Sequence, residues 1–221
     1  DYNQIAQHFS NTRNRVWPEL EQFKDLIKDN QVVLDWGCGN GHVYDFFADK
    51  KIQYYGVDVS TELIKLANIS YKDQVDSGQA QFFDISKQEK VFDNDFFDLV
   101  IMIASFHHLP DEESRLEVLQ KIYQEMKPGA KLIMTVWNLQ SDWAKNKKDF
   151  EVVGDKQFLI PWKNKDGEIL VKRFYYHFDP DELHSLLEQV GFKVSKIGYY
   201  ENNTFSDDKK SARNLVVLAE K

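Results

Sequence analysis

Three glycines at alternate positions, Gly37, Gly39 and Gly41, follow Asp35 in LDWGCGNGH (34–42). Glycine lets the backbone turn tightly and come close to a ligand. A helix opening just after such a turn would offer its free N–H groups to a polar or anionic group. The spacing differs by one residue from the Gly-x-Gly-x-x-Gly of dinucleotide sites. A strand-to-helix turn needs glycine on its own account, so a purely structural turn is the competing reading. Asp58, in YYGVDVS, ends the next apolar run. An acid about 20 residues past a glycine turn accepts hydrogen bonds from ribose hydroxyls; the alternative is a cap for a helix opening near Ser60. Asp84, in QFFDIS, ends a third run and could accept from an adenine amino group.

A second set of reactive types follows a fourth apolar run. His107 and His108, in ASFHHL, stand at the carboxyl end of that run, where a parallel sheet binds its ligands. They could position a substrate, or act as a base if the acceptor is a hydroxyl or amine. The plainer reading packs one under the loop and lets the other cap the next helix. No His/Cys/Asp spacing supports a metal site, and Cys38 is alone on the glycine turn. The basic stretches at 146–148 and 207–210 read as solvated loops, with a phosphate-binding rim as the sharper alternative.

These residues need a frame. VVLDW (32–36), YYGVD (54–58), AQFFD (80–84), FDLVIMI (97–103) and KLIMTVW (131–137) read as strands, the central ones apolar on both faces as buried parallel strands are. Helical patterns lie between them at 60–72, with Ser60 as N-cap, and at 111–129, with a Lys-Pro-Gly stop. This alternation predicts an open, Rossmann-like parallel α/β sheet. A helix at 179–192 precedes strands at 193–200 and 214–221, whose connection has no room for a helix, so they should be antiparallel neighbours. One domain spans 1–221: an N-terminal helical cap (1–29), a cofactor-binding core (30–137), a substrate-side insertion after strand five (138–178), and a C-terminal helix and hairpin (179–221).

At 221 residues the chain can bury a real core. Its net charge of −8 argues against a generally basic nucleic-acid-binding surface, though not against a local patch. No apolar run is long enough to span a bilayer, and DYNQIAQHF has no signal-peptide pattern. One cysteine excludes an internal disulfide and suits the cytoplasm.

Together, VVLDWGCGNG, GVDVS, FFDIS and MKPGAKLIMTVW resemble the successive motifs of class I S-adenosylmethionine-dependent methyltransferases. The resemblance implies a seven-stranded sheet of order 3-2-1-4-5-7-6 with strand seven antiparallel. It implies S-adenosyl-L-methionine as cofactor and S-adenosyl-L-homocysteine as product. Asp35 would orient the turn, Gly37, Cys38, Gly39 and Gly41 would meet the methionine part, and Asp58 and Val59 would face the ribose. Asp84 and the backbone of Ile85 would hold adenine, and residues 103–105, Ala104 at their centre, would line the sulfonium.

A narrower resemblance covers almost the whole chain. YNQIAQHFSNTRNRVWPELEQF, ASFHHL, FLIPWKNKDGEILVKRFYYHFDPDEL and LAEK are similar to the tRNA methyltransferases that esterify 5-carboxymethyluridine at the wobble position. Two departures stand out: Asn14 replaces the family tyrosine after Thr-Arg, and the histidine after Arg173 stands one position late. On this resemblance a cation holds the acceptor carboxylate, for which Arg13, Arg15, Lys163 and Arg173 are candidates. Trp137, Trp162 and Tyr175 could stack on a flipped base. Phe9, Thr12 and Arg13 would form a lid, with Arg13, His107 and His108 nearest the chemistry. A small-molecule O- or N-methyltransferase is the alternative, and a non-catalytic cofactor-binding scaffold a third reading. Eukaryotic members of that family use a small activating partner protein; nothing in this sequence establishes the need.

Overall fold

The computed structural model describes residues 2–12, 17–87, 92–201, 204–206 and 208–221. The chain opens with a 3-10 turn (Tyr2–Ile5) that runs into α1 (Ala6–Thr12), and a longer 3-10 helix spans Pro18–Leu26. Then come β1 (Val32–Trp36), a 3-10 helix (His42–Phe47), β2 (Gln53–Asp58), α2 (Thr61–Ser70), α3 (Lys72–Asp76), β3 (Ala80–Asp84) and β4 (Phe97–Ile103). A 3-10 turn (Phe106–His108), α4 (Glu112–Glu125) and β5 (Met126–Trp137) complete the parallel part. The insertion holds α5 (Asp142–Lys145), β6 (Glu151–Gly154), β7 (Gln157–Lys163) and β8 (Ile169–Tyr176). Last are α6 (Pro180–Val190), β9 (Lys193–Glu201), β10 (Thr204–Ser206) and β11 (Asn214–Glu220).

The main sheet has eight strands in the order β10-β9-β11-β5-β4-β1-β2-β3. From β3 to β5 neighbours are parallel, and β11 is antiparallel to both β5 and β9. With β9 as strand six and β11 as strand seven, this is the expected 3-2-1-4-5-7-6 order. The eighth strand was not expected. Part of the polar connection folds back on β9, pairing Phe205 with Tyr200 and Ser206 with Tyr199. The Lys-Pro-Gly segment differs too: α4 already stops at Glu125, and Met126–Gly129 begin β5, with a register shift between the Phe97 and Leu99 pairings. A proline at a strand's start costs no ladder bond there.

Sheet faces decide where helices go. β4 reads FDLVIMI and is buried along almost all its length, so both faces must be covered. On one face α4 and α6 pack Leu119, Ile122, Leu183 and Leu187 against Leu34, Val100, Met102 and Leu132. On the other, the two longer 3-10 helices and α2 bring Leu20, Phe23, Phe47 and Ile64 onto Val33, Tyr54, Leu99 and Ile101. The insertion forms its own antiparallel sheet, β6-β7-β8, with a small core of Leu139, Ile160 and Tyr175. That core includes Trp137 at its edge, so it sits at the carboxyl end of β5. Among the described residues no helix is long and apolar enough to cross a membrane.

Candidate active site

Past β1 the chain reverses on its glycines. The Gly37 and Cys38 N–H groups donate to the Val57 carbonyl at 2.8 and 3.0 Å. Gly37 has φ +78, and a Cβ there would lie 2.4 Å from the Ser105 Cβ, so only glycine fits between β1 and the end of β4. The Gly39 N–H donates to one carboxylate oxygen of Asp58 at 2.8 Å, and the Ser60 N–H donates to the other at 2.7 Å. Burial pushes the Asp58 carboxyl up, against those bonds. Asp58 therefore both faces the cavity and holds the entry to α2, whose N-cap is the Ser60 hydroxyl accepting from the Leu63 N–H.

The other cofactor candidates divide. Gly37, Cys38, Gly39, Asp58, Val59, Ile85 and Ala104 line one cavity of about 550 Å³, within the range of small-molecule sites. Gly41, Asp35 and Asp84 do not. Gly41 caps the 3-10 helix, and a Cβ on it would meet the Phe82 ring at 2.8 Å. That helix has six residues and no side-chain cap, so the expected helix N-terminus for an anion is not built here. Asp35 is buried under the turn and accepts the Tyr54 hydroxyl. Burial, with a smaller push from Asp58, raises its pKa to about 7. Asp84 accepts from the Thr61 hydroxyl (2.6 Å) and the Ser86 N–H (2.8 Å), which hold its carboxyl low and tie β3 to α2. The Ile85 N–H is spent on the Asp58 carbonyl at 2.9 Å, so adenine would meet the Ile85 side chain instead of that N–H. Ala104 takes φ +52, a conformation L-residues pay for, fixed by N–H bonds of 3.0 Å to the Thr135 carbonyl and hydroxyl.

The opposite wall is built from segments far apart in sequence. His108 Nδ1 lies 2.7 Å from the Phe174 carbonyl, so it carries the proton. Its Nε2 then accepts from the Tyr2 hydroxyl at 2.9 Å, and that hydroxyl accepts from Arg173 Nη1 at 3.2 Å. His107 has the other tautomer. The Trp137 N–H donates to its Nδ1 at 3.2 Å, which leaves the proton on Nε2, buried and without a partner among the described residues. Burial holds both rings neutral, His108 at about 4 and His107 well below the ordinary imidazole value. Neither has a lone pair free to take a proton. Arg173 is buried, with its Nε unpartnered among the described residues, and its guanidinium sits among the rings of Trp162, Tyr175 and Tyr2 at 4.8, 5.2 and 5.6 Å. Tyr175 stacks between Trp137 and His107 at 4.9 Å from each.

The methyltransferase domain family matches residues 7–197. The chain belongs to that family. It is a methyltransferase that depends on S-adenosylmethionine. It is 26% identical over 220 residues to a tRNA (carboxymethyluridine(34)-5-O)-methyltransferase of Schizosaccharomyces pombe, covering 91% of each chain. It is 30% identical over 189 residues to the Macaca fascicularis protein of that name, ALKBH8, covering 86% of this chain but 25% of the longer relative. A solved S-adenosylmethionine-dependent methyltransferase of Methanosarcina mazei superposes with a TM-score of 0.70 at 23% identity, covering 93% of this chain and 98% of that one.

For this methyltransferase the cavity passes a structural test of fit. A glycine turn that lines the cavity, a half-buried carboxylate at the end of β2 and an apolar side wall of Val57, Leu63 and Ile85 suit a charged amino-acid part, a ribose and a purine. Phe9, His107, His108, Trp137, Arg173 and Tyr175 also line the cavity, whereas Thr12 and Trp162 do not. The Thr12 hydroxyl, exposed at the end of α1, donates to the Phe9 carbonyl at 2.8 Å. Trp162 stands behind Arg173, its indole N–H donating to His8 Nδ1 at 2.6 Å. Lys163 is on the surface, paired with Asp149 at 2.9 Å. Arg13, Asn14 and Arg15 lie outside the described residues. Sequence reasoning missed Tyr2. Ser105, two residues before the histidine pair and among those expected by the sulfonium, lines the cavity; its hydroxyl donates to the Trp36 carbonyl at 2.8 Å and packs on Gly37. Tyr2 carries no spacing signal, being 106 residues from His108.

Proposed function

We propose that this methyltransferase esterifies the carboxylate of 5-carboxymethyluridine at the wobble position of tRNA. One observation carries the reading: the acceptor wall presents proton donors, while both histidines are held neutral with their lone pairs already engaged. A hydroxyl or amine acceptor needs a base; a carboxylate is already ionised and needs donors to orient it. The relatives named for this reaction support the same acceptor.

The bound cofactor supplies an electrophilic methyl group on a sulfonium. The chain's part is to place the two reactants and keep water out, which in favourable cases removes roughly 7–11 kcal/mol from a barrier. On this reading Asp58 accepts the ribose hydroxyls, and the backbone at Gly37, Cys38 and Gly39 meets the methionine part. Arg173, with its Nε–H and free Nη2, holds the carboxylate, and the His107 Nε2–H lends a further donor. The Tyr2–His108 pair is a positioning device: it fixes one edge of Arg173 and leaves the other edge to the substrate. Tyr175 and Trp137 form the aromatic wall for the uracil. Residues 30–137 serve the cofactor, 1–29 and 138–178 cover the acceptor, and the enzyme works in the cytoplasm on tRNA. The test is incubation of the purified chain, alone and with a small activating partner protein, with methyl-labelled cofactor and total tRNA carrying carboxymethyluridine. Label in tRNA is expected; label only in a small-molecule extract overturns the reading.

A further inference from the structure

From the side chains around α5 and the 208–213 loop we infer a docking surface for the phosphate backbone of RNA, beside the acceptor wall. Six cations meet there: Lys145, Lys147, Lys148, Lys209, Lys210 and Arg213. They come from segments some 60 residues apart, brought together by buried Asn138. Its side-chain amide donates to the Lys209 and Ala212 carbonyls at 2.6 and 2.8 Å, and its N–H donates to the Arg213 carbonyl at 2.8 Å. The Asp142 N–H adds a bond to the Lys210 carbonyl at 2.8 Å. Trp143 stands between the two strips, with Lys147 Nζ 5.4 Å and the Arg213 guanidinium 5.1 Å from its ring centroid. Its edge meets Trp137, the cavity-lining tryptophan, at 5.8 Å. The basic strip thus abuts the cavity mouth.

What sets these cations apart is that six of them gather in one place. All six are exposed, and among the described residues none forms an ion pair. Several lysines elsewhere pair with acids: Lys127 with Asp98, Lys156 with Asp179 and Glu182, Lys172 with Glu151. The neighbouring acids among the described residues are fewer than the cations: Asp142, Asp149 and Asp208. Asp149 holds Lys163, and Asp208 accepts from the Lys210 N–H and the Ser211 hydroxyl. In a chain of net charge −8, an unpaired cluster of six cations is a local field of opposite sign. Phosphates spaced along a strand fit such a row, with counterion release adding to affinity.

This inference rests on the tRNA reading, and its test separates the two. Binding of an unmodified tRNA transcript, followed by fluorescence anisotropy across a salt series, needs no methyl transfer. K147E/K148E and K209E/K210E are each expected to weaken transcript binding roughly tenfold or more and to flatten the salt slope by about two. Cofactor affinity should stay unchanged. K28E/K51E, at the opposite end of the sheet, is the control of equal charge change and should bind as wild type. Unaltered affinity and slope in both test pairs overturn the surface, even if tRNA is methylated. Tighter binding of poly-glutamate than of transcript also overturns it, in favour of an acidic protein. Loss of binding in the test pairs together with wild-type failure to methylate carboxymethyluridine upholds the surface and sinks the proposed reaction.

Discussion

The two walls of the cavity are built on opposite chemistry. On the β1–β2 side, half-buried Asp58 faces the cavity and buried Asp35 lies behind it under the glycine turn; desolvation pushes both carboxyls upward, and hydrogen bonds partly restore them. On the side of β8 and the Phe106–His108 turn, Arg173 and His107 supply donors, His108 holds the Tyr2 hydroxyl, and burial keeps the imidazoles uncharged. The first wall accepts hydrogen bonds and tolerates positive charge; the second donates them and suits an anion. Between them Gly37 presses on Ser105 so closely that the walls share one seam. In the proposed reaction the cationic partner meets the acidic wall and the anionic partner the donor wall, which orders the two before they touch.

Substitutions can break either wall without the other. The largest expected effect is at Asp58. Asp58→Ala removes the acceptor for ribose and frees two backbone N–H groups, so cofactor affinity by calorimetry should fall roughly 100-fold or more. Unchanged affinity would take Asp58 out of the site. Arg173→Met should leave cofactor affinity as it is and lower kcat/KM for the acceptor roughly 30- to 100-fold, as expected for a lost charge-assisted bond. Arg173→Lys should not restore it, because an ammonium cannot serve Tyr2 and the substrate with one planar fork. A loss of cofactor affinity equal to the loss of kcat/KM would mean that the walls are not separate.

Stability against pH sharpens the contrast, because the walls titrate with opposite sign. The Asp35 pKa rises from 3.8 unfolded to about 7 folded, so its contribution is full below pH 4 and lost as pH climbs through 7. The His108 pKa falls from 6.5 to about 4, so its contribution is full above pH 6.5 and lost as pH drops toward 4. In urea melts, Asp35→Asn should gain about 2–3 kcal/mol on wild type between pH 5 and pH 8. His108→Gln, which can still bond Tyr2 and Phe174, should gain about 2 kcal/mol between pH 7 and pH 5. Parallel pH curves for a variant and wild type would refute the matching environment. The smallest effect is at His107: His107→Phe keeps the ring packing and removes one donor, lowering kcat/KM about tenfold with no new acid limb in the rate profile. An acid limb near pH 6.5 in wild type that disappears in this variant would make His107 a base.

The acidic wall was readable in the sequence because its logic is local. Gly37, Gly39 and Asp58 sit at strand ends, and strand ends follow from short apolar runs whose bounds matched the structure within a residue or two. Even there, direction was not readable. Asp35 and Asp84 sit at such ends yet turn into Tyr54 and Thr61, choices made by partners the spacing does not encode. The donor wall was only half readable. Arg173 and Tyr175 emerged from family likeness, but Tyr2 is joined to them by a fold in which residue 2 meets residue 173. The state of the histidines was not readable at all. It depends on two backbone groups, the Phe174 carbonyl and the Trp137 N–H, from opposite ends of the insertion.

The central claim is that the donor wall orients a carboxylate for methylation, and the bond formed reports on it directly. After transfer of labelled methyl to tRNA, mild alkali cleaves a methyl ester and releases the label as methanol, while methyl groups on ring nitrogen or on a ribose oxygen survive. Release of the label as volatile methanol is the predicted result. Label that stays with the nucleosides through alkali would contradict it.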